Sequence, residues 1–278
     1  MKQILPLGVY YLLIPFLHAC SNDPSAPSEV VPNKTTELKS IPTLDYTVLG
    51  SYPHDITSYT EGLVFHNNQL YESTGATDDL PQTRSLFGVV DLSTGKINVK
   101  TELDRQKYFG EGIAFLNGKI YQLTYKTKVG FIYDAATFKA LGQFTFPSKE
   151  GWGLTTDSKY LIMSDGTNIL TYIDPNNLQA VKKMDVSENN YTTSYLNELE
   201  YINGYIYANI YTTNTIVKID VVNSQVIAKL DLTPLVKSAK GIYPGSLDMN
   251  GIAFDSTNNK IYVTGKMWPK IFQIDFDH

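Results

Sequence analysis

The sequence predicts an all-β fold, a five-bladed β-propeller, and three observations predict it. One phrase recurs five times: EGLVFHNNQLYESTG (61–75), EGIAFLNGKIYQLTY (111–125), GLTTDSKYLIMSDG (153–166), ELEYINGYIYANIY (198–211) and NGIAFDSTNNKIYVTGK (250–266). A second pattern fills the four gaps between these phrases, an apolar strand ending in Asp, a turn, then an alternating strand. Beyond the N-terminal segment no stretch has the 3.6-residue apolar period of a helix, apart from a short one expected at residues 234–239.

Within each phrase a small or acidic opening precedes a short apolar run, a turn and an alternating run. The turn residues Asn67-Asn68, Asn117-Gly118, Asp157-Ser158, Asn203-Gly204 and Asn258-Asn259 suit tight connections between antiparallel strands. The aligned apolar positions Leu63, Ile113, Leu154, Leu199 and Ile252 are spaced by 50, 41, 45 and 53 residues. Repeats of about 40 to 50 residues are the signature of four-stranded propeller blades. The outer pairs are LFGVVDLSTGKINVKTEL (86–103), KVGFIYDAATFKALGQFTF (128–146), ILTYIDPNNLQAVKKMDV (169–186) and TIVKIDVVNSQVIAKLDL (215–232). Their repeated Asp91, Asp134, Asp174 and Asp220 are structural, each carboxylate accepting backbone N–H bonds in its turn. A closed ring needs a shared blade, so residues 45–51 are expected to supply the outer strand beside residues 270–276.

Composition excludes several function classes. With 23 Lys+Arg against 28 Asp+Glu the formal charge is −5, which offers no basic surface for nucleic acid. A single Cys rules out an intramolecular disulfide and a thiolate zinc cluster, and four His leave little material for a histidine-built metal site. At the N-terminus, Met1-Lys2, an apolar run from Ile4 to Phe16 and Leu17-His18-Ala19-Cys20 read as a secretory signal. With the only Cys directly after Leu-x-Ala, the segment resembles a bacterial lipoprotein signal, with Cys20 the lipidated residue. The expected organisation is a signal at 1–19, a flexible tether at 20–44 rich in Ser, Pro, Asn and Thr, and one propeller domain at 45–278. The expected location is the bacterial cell envelope, periplasmic or cell-surface, with membrane contact through the lipid on Cys20 only.

The motifs YPHD (52–55), TEGL (60–63), LYESTG (70–75), FGEGIA (109–114), GFIYD (130–134), EGWGLTTD (150–157), SDGT (164–167), LNELEYINGYIYANIY (196–211), NGIAFD (250–255) and VTGKMWPKIFQI (263–274) run in order through the domain. In these the chain resembles the plant and bacterial glutamine cyclotransferases. The resemblance implies conversion of the N-terminal glutamine of peptides or proteins to pyroglutamate with release of ammonia, an aminoacyl transfer needing no catalytic metal or other cofactor. A structural Ca²⁺ held by loop carboxylates and carbonyls is compatible with it, and the chain is expected to act as a monomer.

The chemistry suits the residues that match. The substrate carries its own nucleophile, the α-amine, and its own electrophile, the γ-carboxamide, so the enzyme must supply proton transfer, orientation and charge stabilisation. The resemblance places Glu111 as the proton-carrying acid, while the residues alone allow a carboxylate that binds backbone N–H groups between blades. It places Trp152 against the glutamine side chain, Asn197 in hydrogen bonding to substrate, and Lys266 in the pocket, either neutralising an oxyanion or charge-pairing with Glu111. Tyr59, Glu61, Tyr125 and Tyr211 complete the expected substrate site, with Trp268 expected in blade packing.

The chain also departs from the family. Tyr59-Thr60-Glu61-Gly62-Leu63 stands where relatives usually read F-T-Q-G-L, and a second carboxylate there either tunes Glu111 as an acid or repels it from its working state. Tyr125 and Tyr211 stand where the plant enzymes commonly have Trp. The stretch 76–91 replaces the usual YGxSxLRxVD, with Gly88 where Arg is expected and Arg84 displaced by a local insertion. A different class remains open on these departures, a non-catalytic propeller that binds peptide or protein N-termini.

Overall fold

The structure, a computed structural model, describes residues 40–278. The signal, the lipidation site Cys20 and the tether up to residue 39 lie outside the described residues. Strand β1 (Tyr46–Pro53) is followed by the first blade, β2 (Thr60–His66), β3 (Gln69–Thr74), β4 (Leu86–Val90) and β5 (Ile97–Glu102). The second blade is β6 (Gly110–Leu116), β7 (Lys119–Thr124), β8 (Val129–Asp134) and β9 (Ala140–Thr145), and the third β10 (Leu154–Thr156), β11 (Leu161–Met163), β12 (Ile169–Ile173) and β13 (Ala180–Asp185). Two short strands, β14 (Ser187–Glu188) and β15 (Tyr191–Thr192), precede the fourth blade, β16 (Leu196–Ile202), β17 (Tyr205–Ile210), β18 (Thr215–Asp220) and β19 (Gln225–Asp231). A helix, α1 (Thr233–Ile242), leads to the fifth, β20 (Met249–Asp255), β21 (Lys260–Gly265) and β22 (Lys270–Phe276).

The inner strands meet in the cyclic order β2, β6, β10, β16, β20 and back to β2. The ring closes as expected, with β1 antiparallel to β22 from Tyr46 opposite Phe276 to Pro53 opposite Lys270. The core lies in the five seams between neighbouring blades. Leu63 and Leu70 of the first blade pack on Ala253, Tyr262 and Ile271 of the fifth, for example. Trp268 is fully buried in packing, set edge-on to Phe272, with its Nε1 donating to Leu247 O at 3.1 Å.

Local turn chemistry explains the strand ends. Asn67-Asn68, Asn117-Gly118 and Asn203-Gly204 all have positive φ at both positions, the mirror-image turn that matches strand twist. The other two expected two-residue turns are instead longer loops. Asp157 Oδ1 accepts the Lys159 and Tyr160 N–H groups, and Asp255 Oδ1 those of Thr257 and Asn258. The repeated Asp residues act as caps: Asp91, Asp134, Asp174 and Asp220 accept the N–H of Ser93, Ala136, Asn176 and Val222 at 2.8–3.1 Å.

Two boundaries differ from expectation. The helix is longer than 234–239, because Leu235, Val236 and Ala239 bury one face while the exposed turns continue to residue 242. Residues 41–44, expected in the tether, dock on the fourth blade instead. Leu44 N donates to Lys229 O at 2.7 Å and Lys229 N to Pro42 O at 2.9 Å, while Ile41 and Leu44 pack into adjacent seams. These residues and β14, which pairs with β19 at Ser187–Gln225, cover an edge that would otherwise stand open.

Candidate active site

Two residues before each aligned apolar position of the repeat stand Glu61, Glu111, Trp152, Asn197 and Asn250. The fold therefore brings one equivalent residue from every blade to the start of its inner strand. In four blades the pairing register slips there, between Thr60 and Gly62, Gly110 and Ile113, Leu196 and Leu199, and Met249 and Ile252. Such bulges bend a strand and re-aim the side chain at the slip. The residue after the bulge position is glycine in four blades because the inner strands approach closely. A Cβ on Gly112 would lie 2.4 Å from Leu154 N and one on Gly153 2.1 Å from Asn197 O.

The exception is Glu198, whose carboxylate accepts Leu63 N at 3.1 Å and Ile252 N at 2.8 Å. The role of joining blades through backbone N–H groups, left open for Glu111, belongs to this neighbour. Burial, then the charge of Glu200, raises the Glu198 carboxyl well above the usual carboxylate range.

A cavity of about 400 Å³ opens beside the bulges. Glu61, Glu111, Asn197 and Lys266 line it as buried groups, and the half-buried rings of Tyr59, Phe109, Tyr125, Trp152 and Tyr211 wall it. All eight side chains singled out in the sequence thus border one space. Trp152 meets Tyr211 edge-to-face at 5.4 Å and donates Nε1 to Glu150 Oε2 at 3.0 Å. Phe109 lies between Tyr59 and Tyr125 with ring centroids 5.9 and 5.8 Å away.

Lys266 is presented by the turn after β21. Its backbone N donates to Asp248 O and the next N–H, of Met267, to Ser58 O at 2.7 Å. Its ammonium donates to Glu61 Oε1 at 2.7 Å and lies 4.7 Å from the Tyr59 ring centroid. Of the two roles open for Lys266, charge pairing is realised with Glu61 rather than Glu111. Asn250 donates to the other Glu61 oxygen at 3.0 Å, so a second group holds this carboxylate. Asn250 is not among the residues expected in the site, although it holds the same repeat position as Glu111, two residues before the aligned apolar residue.

Burial pushes the Glu61 carboxyl up to about 7, against the pull of Lys266. Burial also works against the Lys266 ammonium, but the charge of Glu61 leads the attractions that outweigh it, its hydrogen bond among them, and keep the amine protonated. Glu111 is raised well above the usual range, by burial first and the charge of Glu61 second; Lys266 opposes the shift and no hydrogen bond contributes. The outcome is a carboxyl on which burial and the Glu61 charge favour the protonated form, beside a fixed cation. Asn197 Oδ1 is buried without a hydrogen-bond partner, an unfilled acceptor at the cavity floor. Among the described residues no group of three or more His, Cys, Asp or Glu side chains is placed to hold a metal ion.

The displaced Arg84 lies away from this cavity, in an exposed pair with Glu102 at 2.8 Å, and Gly88 has no space for a side chain, since a Cβ would lie 2.3 Å from Asn98 O. The cation at the mouth is Arg105, which with Ala76, Thr77 and Asp78 completes the lining. None of these was legible beforehand, because they come from connections without a repeat pattern.

Comparison with known proteins agrees with the geometry. The family profile described as "Glutamine cyclotransferase" matches residues 18–276. The chain is 37% identical over 229 residues to the glutaminyl-peptide cyclotransferase of Arabidopsis thaliana, covering 82% of this chain and 70% of the plant protein. It superposes on the crystal structure of Myxococcus xanthus glutaminyl cyclase with a TM-score of 0.77 at 28% identity, covering 86% of this chain and 99% of the other.

Proposed function

The chain belongs to the glutamine cyclotransferase family, and from that premise we propose that its cavity closes the N-terminal glutamine of peptides into pyroglutamate and releases ammonia. The observation that carries this reading is the floor: an acid with a raised pKa, an unfilled amide acceptor and a paired cation, all buried in one aromatic-walled space.

The α-ammonium of the substrate donates to Asn197 Oδ1 and arrives beside Glu111. Its positive charge favours the ionised carboxylate, so the resting Glu111 proton leaves to solvent through the mouth, and the carboxylate then takes one ammonium proton. The freed nitrogen lone pair attacks the γ-carboxamide carbon, the new C–N bond forms, and the carbonyl π pair moves to oxygen. Lys266, donating to Glu61 through one N–H, has two more for that oxyanion. Glu111 returns its proton to the carboxamide nitrogen, an oxyanion electron pair re-forms the carbonyl, that C–N bond breaks, and ammonia departs with the bonding pair. The surplus proton on the ring nitrogen passes to the Glu111 carboxylate, restoring neutral Glu111. Trp152 and Tyr211 hold the side chain folded for ring closure and exclude water, a proximity effect.

No catalytic metal or cofactor enters this scheme. The envelope location, the lipid on Cys20 and the monomeric state belong to the same proposal, and metabolic labelling with a fatty acid, lost in Cys20→Ala, tests the anchor.

The decisive experiment incubates the protein with Gln-initiated peptides and follows ammonia and the mass of the peptide. Glu111→Gln is expected to reduce turnover by at least about 100-fold, within the usual range for general acid–base groups, while the circular dichroism spectrum stays unchanged. Binding of peptide without ammonia release by the unmodified protein would instead establish the non-catalytic binder.

A further inference from the structure

Cyclisation consumes two substituents of the glutamine α-carbon, the amine and the side chain, and both must reach Glu111 on the buried floor. The third, the carbonyl that leads into the rest of the peptide, has to leave through the mouth. A peptide backbone emerging there needs polar partners. Outside the floor, and apart from the tyrosine hydroxyls and the Trp152 Nε1 that donates to Glu150, the polar groups lining the cavity are Thr77, Asp78 and Arg105.

These three belong to one built wall. Arg105, half-buried in the β5–β6 connection, donates Nη1 to Pro81 O at 2.9 Å and to Thr83 O at 3.3 Å, and Nη2 to Thr77 O at 3.0 Å. A single guanidinium thus ties down three carbonyls of the loop between β3 and β4, a task its rigid fork can do and a lysine cannot. The loop is further closed by Thr77 N donating to Thr83 Oγ1 and by Thr83 Oγ1 donating to Leu80 O at 2.7 Å. Among the described residues neither Arg105 nor Asp78 has an ion-pair partner, so both charges remain available at the mouth. The loop lies in the stretch where this chain departs from the family pattern.

We propose that the 76–83 loop, held from behind by Arg105, is the subsite for the residue that follows glutamine, and that Asp78 biases it toward a basic side chain. The inference rests on the cyclisation reading and adds where the rest of the peptide binds. Glutaminamide, which ends at the α-carbonyl, cannot reach the wall; a Gln-initiated tripeptide can.

Arg105→Ala is expected to lower kcat/KM for a Gln-Lys-Ala tripeptide about fivefold more than for glutaminamide, with the excess loss in KM, as expected when interactions outside the reacting atoms are removed. Asp78→Asn, an exposed change that spares the loop's bonds, should lower the ratio of kcat/KM for Gln-Lys over Gln-Glu dipeptide amides about threefold, the scale of an exposed charge pair. Equal losses on tripeptide and glutaminamide, or an unmoved Gln-Lys to Gln-Glu ratio, would overturn the subsite while leaving cyclisation intact. Failure of the unmodified protein to turn over either glutaminamide or the tripeptide would remove the cyclisation reading and this one together.

Discussion

Glu200 offers a quantitative test of the electrostatics between the inner strands. It follows Asn197 on β16 and is buried, its Oε1 accepting Phe254 N at 2.8 Å and its Oε2 the Thr155 hydroxyl at 3.3 Å. No cation pairs with it among the described residues. Burial therefore dominates and pushes its carboxyl from 4.5 up to about 8. Below about pH 4.5 the group is protonated in both folded and unfolded chains and has no influence on pH dependence. As pH rises, the unfolded chain ionises first, so the folded state loses about 1.36 kcal/mol per pH unit until the folded carboxyl also ionises near 8. Glu200→Gln keeps the shape and an acceptor for Phe254 N while removing this titration.

Urea unfolding of the two proteins should then give a stability difference, variant minus parent, that grows by about 3 kcal/mol between about pH 5 and pH 7 and exceeds about 4 kcal/mol near pH 8. Any constant offset from altered hydrogen bonding moves the whole line without changing its slope. A difference independent of pH, or one that shrinks as pH rises, would refute the claim that Glu200 is held neutral by burial.

Two further outcomes concern the site. Lys266→Met should lower kcat by about 10²- to 10³-fold, as for loss of a donor to an oxyanion, and a loss confined to KM would remove Lys266 from the chemistry. Glu61→Gln takes away the negative charge that helps raise Glu111, leaving Lys266 to pull its pKa down; the acid limb of the pH profile of kcat/KM should move to lower pH, and a limb that stays or moves up would show that the two carboxyls are uncoupled.

The blade strands, three of the five tight turns and the blade count were readable from the chain because each depends on near neighbours. An Asn-Gly turn, an Asp that caps its own loop and an alternating apolar run specify local structure wherever they occur. The repeat carried more than its use as a blade marker suggested, since its bulge position reaches Glu61, Glu111, Trp152, Asn197 and Asn250 in turn. The resemblance to relatives added Lys266 and the tyrosines, of which Tyr125, Tyr211 and Lys266 share a second repeat position, the residue directly after β7, β17 and β21.

Partnership was decided by closure of the ring. Lys266 and Glu61 are 205 residues apart in the chain, and only the meeting of the fifth blade with the first sets their charges together and leaves Glu111 without a hydrogen bond to lower its pKa. The same closure assigns the blade-joining task to Glu198, which in the linear sequence opens its phrase much as Glu111 opens another. Arg105 and its loop lie in connections without a pattern, where the position of a side chain follows from what surrounds it in space. Residue order carried the strands and the site position in each, while charge state and contact arose from burial and from groups that distant segments bring within a few ångströms.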